Sequence, residues 1–75
     1  MLKPKDLELH IGKFVKISVF HGSDLIVTSY GTISYDDIGW RVAGDIGDYG
    51  YSVYFRPTYT RILEGPEELH LIYEI

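Results

Sequence analysis

Apolar residues recur at every second position along most of this chain, and this alternation constrains the fold more than any other feature. Val15, Ile17 and Val19 alternate with polar residues, and Val42 and Val53 lie in two later segments of the same spacing. Successive side chains of a β-strand point to opposite faces of a sheet, so a half-buried strand shows a period of two. The sequence therefore predicts an all-β protein.

Turn signals divide the chain into five or six short strands, preceded by a short helix or an extended arm over residues 5–11. Leu7 and Ile11 would share a helical face, and Gly12 follows them as a stop signal. Gly31 lies near the middle of the longest segment, where a glycine indicates a bulge or a sharp bend. Strands are predicted over residues 13–20, 24–35, 38–43, 51–56 and 69–75, a loop over 44–50, and either a strand or a 3₁₀ turn over 58–63.

One core is predicted for the whole chain, because 75 residues make a single small domain spanning residues 1–75. Closing its sheet into a barrel would remove the exposed edges that a small sheet cannot otherwise protect. The predicted core consists of Phe14, Val15, Ile17, Val19, Leu25, Val27, Ile33, Trp40, Val42, Val53, Phe55, Ile62, Leu69 and Leu71.

The first half of the chain has the arrangement of a known group of small barrels. The helix candidate ends in Ile11-Gly12-Lys13, an apolar strand and a turn at Gly22 follow, and residues 31–36 read Gly-Thr-Ile-Ser-Tyr-Asp. In this order of features the chain resembles the Sm-like and Src-homology-3-like small β-barrels. The resemblance implies a barrel and carries over no binding residue, because Arg56-Pro57 is the nearest feature to the Sm-like arginine-glycine pair.

The expected fold class is therefore all-β: a small five- to six-stranded, strongly bent sheet or an SH3-like barrel. The chain has no cysteine, which removes disulfides, thiolate catalysis and cysteine-bound zinc. No segment has the apolar character of a signal peptide or a membrane span, so a cytoplasmic location is expected. His10, His21 and His70 have no metal-like spacing, and nothing marks a serine nucleophile. We expect no enzyme activity, no metal and no cofactor.

Tyrosines and aspartates outside the predicted core supply the candidate binding surface. Seven tyrosines are too many for so small a core to hide, and tyrosine is favoured at interfaces because it offers rigid contact area with one polar group. The prediction is a protein-interaction module, such as a small phage-type inhibitor or adaptor whose acidic patch meets a basic partner or imitates nucleic acid. The candidate binding residues are Tyr30, Asp36, Asp37, Asp45, Asp48, Tyr49, Tyr54 and Tyr59.

Other interpretations use overlapping residues. Small barrels also bind single-stranded RNA or DNA through aromatic faces and a basic groove, although a net charge of −4 repels phosphate. The four aspartates named above would alternatively hold a hard cation, or form a solvated loop. Residues 69–75 are expected to be an edge strand that can pair with a second copy. The nucleic-acid interpretation uses Lys13, Lys16, Arg41, Arg56 and Arg61 with Tyr30, Tyr54 and Tyr59.

Overall fold

The computed structural model describes residues 4–46, 49–65 and 68–75, and in them six strands form one sheet. The elements are helix α1 (Pro4–Glu8), strands β1 (Phe14–His21), β2 (Asp24–Tyr35), β3 (Trp40–Ile46) and β4 (Tyr49–Tyr54), a 3₁₀ turn (Pro57–Tyr59), and strands β5 (Thr60–Glu64) and β6 (Leu69–Glu74). The predicted all-β class is confirmed. No helix of the described residues has the length and apolar character needed to cross a membrane.

The strands are ordered β4-β3-β2-β1-β6-β5, and every neighbouring pair is antiparallel except β1 and β6, which are parallel. A flat single sheet would be thin in one direction, yet the molecule measures 33 × 30 × 28 Å. The sheet is therefore strongly bent. Across the resulting interior, the Phe55 ring beyond β4 meets the Tyr73 ring of β6 at 6.5 Å between centroids.

The sheet does not close into a barrel, so the bent-sheet alternative is the correct one. Its outer strands are β4 and β5. The prediction that residues 69–75 form an edge strand is wrong, because β6 lies between β1 and β5 and pairs with both. Strand β5 pairs antiparallel with the side of β6 that was predicted to be unpaired.

The long strand β2 belongs to two parts of the sheet. It pairs with β1 from Asp24 to Thr32, and β3 joins it from Thr32 to Tyr35. Gly31 lies at this junction, and a Cβ built on it would overlap the carbonyl of Ala43. The bulge or sharp bend predicted at Gly31 stays a prediction. What the structure has at this residue is a close approach of β3 that leaves no room for a side chain.

The core lies on the inner face of the bent sheet. Eight predicted core residues are buried: Val15, Ile17, Val19, Ile33, Trp40, Val42, Phe55 and Leu71. Val53, Ile62 and Leu69 pack against them in partly buried positions. The prediction is wrong for Phe14, Leu25 and Val27, which are exposed, and it omitted Leu7, Ile72 and Tyr73, which are buried.

Several element boundaries differ from the predicted ones. Strands β3 and β4 extend through most of the predicted 44–50 loop, with Gly44 opposite Tyr51 and Asp45 opposite Gly50. The ambiguous segment 58–63 is divided between both alternatives, since the 3₁₀ turn leads directly into β5. The helix α1 ends at Glu8, three residues earlier than predicted.

Candidate binding groove

An open groove of about 660 Å³ lies at one end of the sheet. Three segments form it: the region of α1, the turn between β2 and β3, and the chain that leaves β4. Its lining residues are Glu8, Ile11, Tyr35, Ile38, Gly39, Trp40, Phe55, Arg56 and Pro57. We refer to this site as the Trp40 groove.

The aromatic side chains of the Trp40 groove belong to the core of the protein. Trp40 begins β3 and Phe55 follows β4, and both rings are more than nine-tenths buried. The Phe55 N–H donates to the Trp40 carbonyl at 3.0 Å, which holds the two segments together. The groove floor is therefore fixed by the same packing that stabilises the sheet.

The rim of the Trp40 groove is apolar and open to solvent. Tyr35 packs edge-on against Trp40, with centroids 5.2 Å apart and an interplanar angle of 67°, yet it is 63% exposed. Ile38 is 77% exposed, and Ile11 is exposed on the facing segment. An isolated exposed apolar residue is ordinary, but three around one aromatic floor form a contact surface.

The turn that carries Ile38 is held by Asp36. Its Oδ1 accepts from the N–H of Ile38 at 2.8 Å and from that of Gly39 at 3.1 Å. The Asp36 N–H in turn donates to the Gly39 carbonyl at 3.1 Å. Gly39 has a φ of 149°, in the region that glycine favours. This turn projects Ile38 outward and returns the chain to Trp40.

Asp36 also connects the groove to the outer face of the sheet. Its Oδ2 accepts from the Tyr54 hydroxyl at 2.6 Å and lies 3.6 Å from Arg41 Nε. The Tyr54 hydrogen bond, two backbone N–H groups and the Arg41 charge together lower the pKa of Asp36, against a smaller opposing effect of desolvation. The same hydrogen bond raises the pKa of Tyr54. Arg41 is further held by Ser34 and Ser52, each at 2.9 Å.

The predicted binding residues do not form one patch in the described structure. Asp36 and Tyr54 are in contact, and Asp37 lies exposed in the same turn. Tyr59 is exposed in the 3₁₀ turn. The side chains of Asp45 and Tyr49 and the whole of Asp48 lie outside the described residues, and with them the proposed cation loop.

Tyr30 belongs to a second exposed surface, on the outer face of β1 and β2. Its ring stacks on Phe14 with centroids 6.2 Å apart and an interplanar angle of 16°. The Lys16 ammonium lies 6.0 Å from the Tyr30 ring centroid, within cation–π range. We call this small surface the Phe14–Tyr30 stack. It contains Tyr30 and Lys16 of the nucleic-acid prediction, together with Phe14, which was predicted to lie in the core.

The three arginines of the nucleic-acid prediction have different surroundings in the structure. Arg41 lies in the Asp36 network, Arg61 is 3.3 Å from a carboxylate oxygen of Glu74, and Arg56 lines the Trp40 groove. They do not form a basic track with the tyrosines between them. Each guanidinium instead has a local structural environment of its own.

Titratable side chains in the described part of the chain form no reactive constellation. No group of three or more histidine or carboxylate side chains there is arranged to hold a metal ion. His70 Nε2 lies 2.7 Å from the Ser18 hydroxyl on neighbouring strands. Ser18 is 4% exposed and lies inside β1.

Sequence reasoning missed three residues that line the Trp40 groove, namely Tyr35, Ile38 and Pro57. Tyr35 and Ile38 continue the apolar phase of buried strands, so the alternation assigned them to strand interiors. One signal was available: Ile38 stands between Asp37 and Gly39, and two turn-forming neighbours indicate a loop tip more than a strand.

Fold and groove together define a class: a small all-β protein with one open, bent mixed sheet and a solvent-open aromatic groove. Comparisons of the chain with protein-family models, with curated proteins and with solved structures find no match.

Proposed function

We propose that this protein is a non-enzymatic interaction module that binds an extended segment of a protein partner in the Trp40 groove. One observation carries the proposal: exposed Tyr35 and Ile38 border a floor of rigid, buried Trp40 and Phe55. Aromatic anchors in pre-formed pockets provide most of the binding energy in protein interfaces.

The shape of the groove favours a chain segment over a small molecule. It is open along its length, bounded by three separate chain segments, and has few convergent polar groups. Small-molecule sites enclose most of their ligand and position a few polar groups around it. An apolar peptide side chain, in contrast, needs only a floor to cover one side of it.

Charges at the groove suggest the chemistry of the partner. Glu8 lines the groove and exposed Asp37 lies beside Ile38, while Arg56 is the one cation among the lining residues. A basic residue next to the inserted apolar side chain would meet the two carboxylates. The proposed binding site has the aromatic and acidic character expected from the sequence, but Trp40 is at its centre.

Selection from a displayed library of random peptides tests the proposal. The protein is immobilised, and peptides that it retains are expected to combine an aromatic or branched apolar residue with lysine or arginine. Because Trp40 is the only tryptophan of the chain, its fluorescence reports binding directly. A selected synthetic peptide should shift Trp40 emission in a saturable manner.

Two matched variants test whether the selected peptide binds in the Trp40 groove. Ile38→Lys puts a charge on the groove rim and should weaken the selected peptide by about tenfold or more. Leu63→Lys makes the same change at an exposed leucine of β5 and should leave affinity unchanged. Failure to enrich any peptide, or equal binding by the Ile38→Lys variant, would contradict the proposal.

A second candidate function, binding of single-stranded nucleic acid, is favoured by the Phe14–Tyr30 stack and the adjacent Lys16. Exposed aromatic faces next to a cation stack bases without sequence preference. The net charge of −4 makes it the weaker candidate. Anisotropy of a labelled single-stranded oligonucleotide distinguishes the two: binding that Phe14→Ala abolishes and Ile38→Lys preserves would favour it.

A further inference from the structure

The Trp40 groove is bounded on its two sides by different parts of the chain. The Gly12 N–H donates to the Ile33 carbonyl at 2.8 Å, so the segment that follows α1 lies beside β2. On the other side of β3, the Phe55 N–H donates to the Trp40 carbonyl, and the chain continues into Arg56. The groove is therefore crossed in the order α1 segment, β2, β3 and the chain that leaves β4.

These two sides of the groove carry opposite charges. Glu8 of α1 and Arg56 after β4 both line the groove, and both are exposed. The ion pairs of the described residues involve other side chains, so Glu8 and Arg56 are paired neither with each other nor with another charge there. The groove thus presents one negative and one positive group to its occupant.

Strand spacing sets the distance between the two sides. Neighbouring strands lie about 4.8 Å apart, and three such steps lead from the α1 segment to the chain that leaves β4, or about 14 Å. An extended chain advances about 3.3 Å per residue. A segment that crosses the groove therefore reaches both sides with residues about four positions apart, and the residues between them lie over the aromatic floor.

We propose that the occupant of the Trp40 groove is an extended segment with a basic and an acidic residue about four positions apart, on either side of an apolar residue. The basic residue meets Glu8, the acidic residue meets Arg56, and the apolar residue covers the floor. This inference rests on the peptide-binding function proposed above and adds the acidic position. A guanidinium such as that of Arg56 binds a carboxylate through two parallel hydrogen bonds.

The two charges also give the groove a direction. A segment bound in reverse would bring like charges together on both sides, and such contacts exclude wrong partners more strongly than correct contacts add affinity. A wholly basic segment would be attracted by Glu8 but repelled by Arg56. The groove is therefore selective for the order of charges in its partner as well as for their sign.

Complementary charge reversal tests this inference with a peptide selected on the wild-type protein, and Trp40 fluorescence reports the affinity. The selected peptides should share one order of basic and acidic residues about four positions apart. Glu8→Lys or Arg56→Glu alone should weaken binding about fivefold. The double variant should instead prefer, by about tenfold, a copy of the peptide with its basic and acidic residues exchanged.

Glu64→Lys and Lys13→Glu, the same changes at exposed positions outside the groove, are the controls and should leave affinity unchanged. Circular dichroism verifies that each variant is folded. Peptides that bind in the groove, as shown by their loss of affinity for Ile38→Lys, but lack an acidic residue or bind both charge-reversed variants normally would overturn this inference alone. Absence of any groove-binding peptide would contradict the proposed function as well.

Discussion

Asp36 is predicted to bind a partner, but its carboxylate is already engaged within the protein. Its two carboxylate oxygens receive hydrogen bonds from Ile38, Gly39 and Tyr54. A carboxylate engaged in this way shapes the turn beside the groove before it meets any partner. Asp37, the next residue in the same turn, is exposed.

The Tyr54 hydroxyl is the largest cause of the lowered pKa of Asp36. Tyr54→Phe should therefore raise the pKa of Asp36 toward its ordinary value of 3.8. Because the folded-state pKa is lowered, this contact stabilises the protein above the ordinary value and is lost as the pH falls through the folded-state pKa. NMR titration of the Asp36 carboxyl carbon measures the change. Tyr59→Phe is the matched control, and an equal shift in it would contradict the assignment.

Gly31 is required because another backbone occupies the place of its side chain. It does not have positive φ, unlike Gly12, Gly22 and Gly39. Gly31→Val should destabilise the protein by about 3 kcal/mol, as expected for overpacking against a rigid backbone. Urea unfolding measures this loss. Thr32→Val, the same side chain at the exposed neighbouring position, should change stability by less than about 0.5 kcal/mol; wild-type stability of Gly31→Val would contradict the close approach.

At the scale of elements, α1 is too short to be stable alone and is held by one side chain. Five residues form little more than one helical turn, and isolated helices of that length do not persist in water. Leu7 is fully buried in the core, whereas Leu9, two residues on, is exposed. The helix therefore packs against the core through Leu7, and it positions Glu8 at the Trp40 groove.

Truncating these two leucines should destabilise the protein by very different amounts. Leu7→Ala should cost about 3 kcal/mol, because it removes a buried side chain and leaves a cavity. Leu9→Ala should cost less than about 0.5 kcal/mol. Paired urea denaturation curves measure the difference. Similar losses for both variants would show that α1 does not dock through Leu7.

Some elements are predictable from local signals and others are not. The hairpin between β1 and β2 is encoded locally: Gly22, at the first of two central turn positions, has a φ of 63° as a type II′ turn requires. The β3–β4 hairpin is not, because Gly44 and Asp45 are turn formers that tertiary pairing recruits into strands. Local propensity was overridden there by cross-strand contact.

At the scale of the whole molecule, the parallel pairing of β1 and β6 sets the form of the sheet. It joins the first strand to the last and brings His70 beside Ser18 and opposite Lys16. The pairing of two parallel strands so distant in sequence has no local signal, because the residues of neither strand indicate which strand will lie beside it. A barrel was expected because exposed strand edges are unfavourable. The sheet instead stays open, with β5 as the outer strand beside β6.

Global stability should depend on His70. Burial lowers its pKa below the ordinary 6.5, the Lys16 charge acts in the same direction, and Glu68 opposes both. Between the folded-state pKa and 6.5 the unfolded chain binds more protons, so stability is complete above 6.5 and falls as the pH decreases. His70→Gln should flatten the pH dependence of the unfolding free energy in this range, and Lys16→Met should flatten it partly. An unchanged slope in His70→Gln would contradict this origin.

The candidate site was predicted only in part. Asp36, Asp37 and Tyr54 were named from composition and turn chemistry. The two aspartates lie in the turn that carries Ile38, and Tyr54 contacts Asp36. Tyr35 and Ile38 were missed because a groove is made where separate segments meet, and alternation describes one strand at a time. Leu25 and Val27 were assigned to the core by their alternation, but the register shift between Val19 and Phe20 breaks that alternation between them, and both side chains are exposed.

The sequence by itself determined the class of fold and most of the inner face of the sheet. These follow from local physics, because side-chain alternation and turn geometry depend on neighbours along the chain. Only the tertiary structure decided the β1–β6 pairing, the open sheet and the Trp40 groove. Each of these depends on which distant segments meet, and that choice minimises the exposed apolar surface of the whole chain.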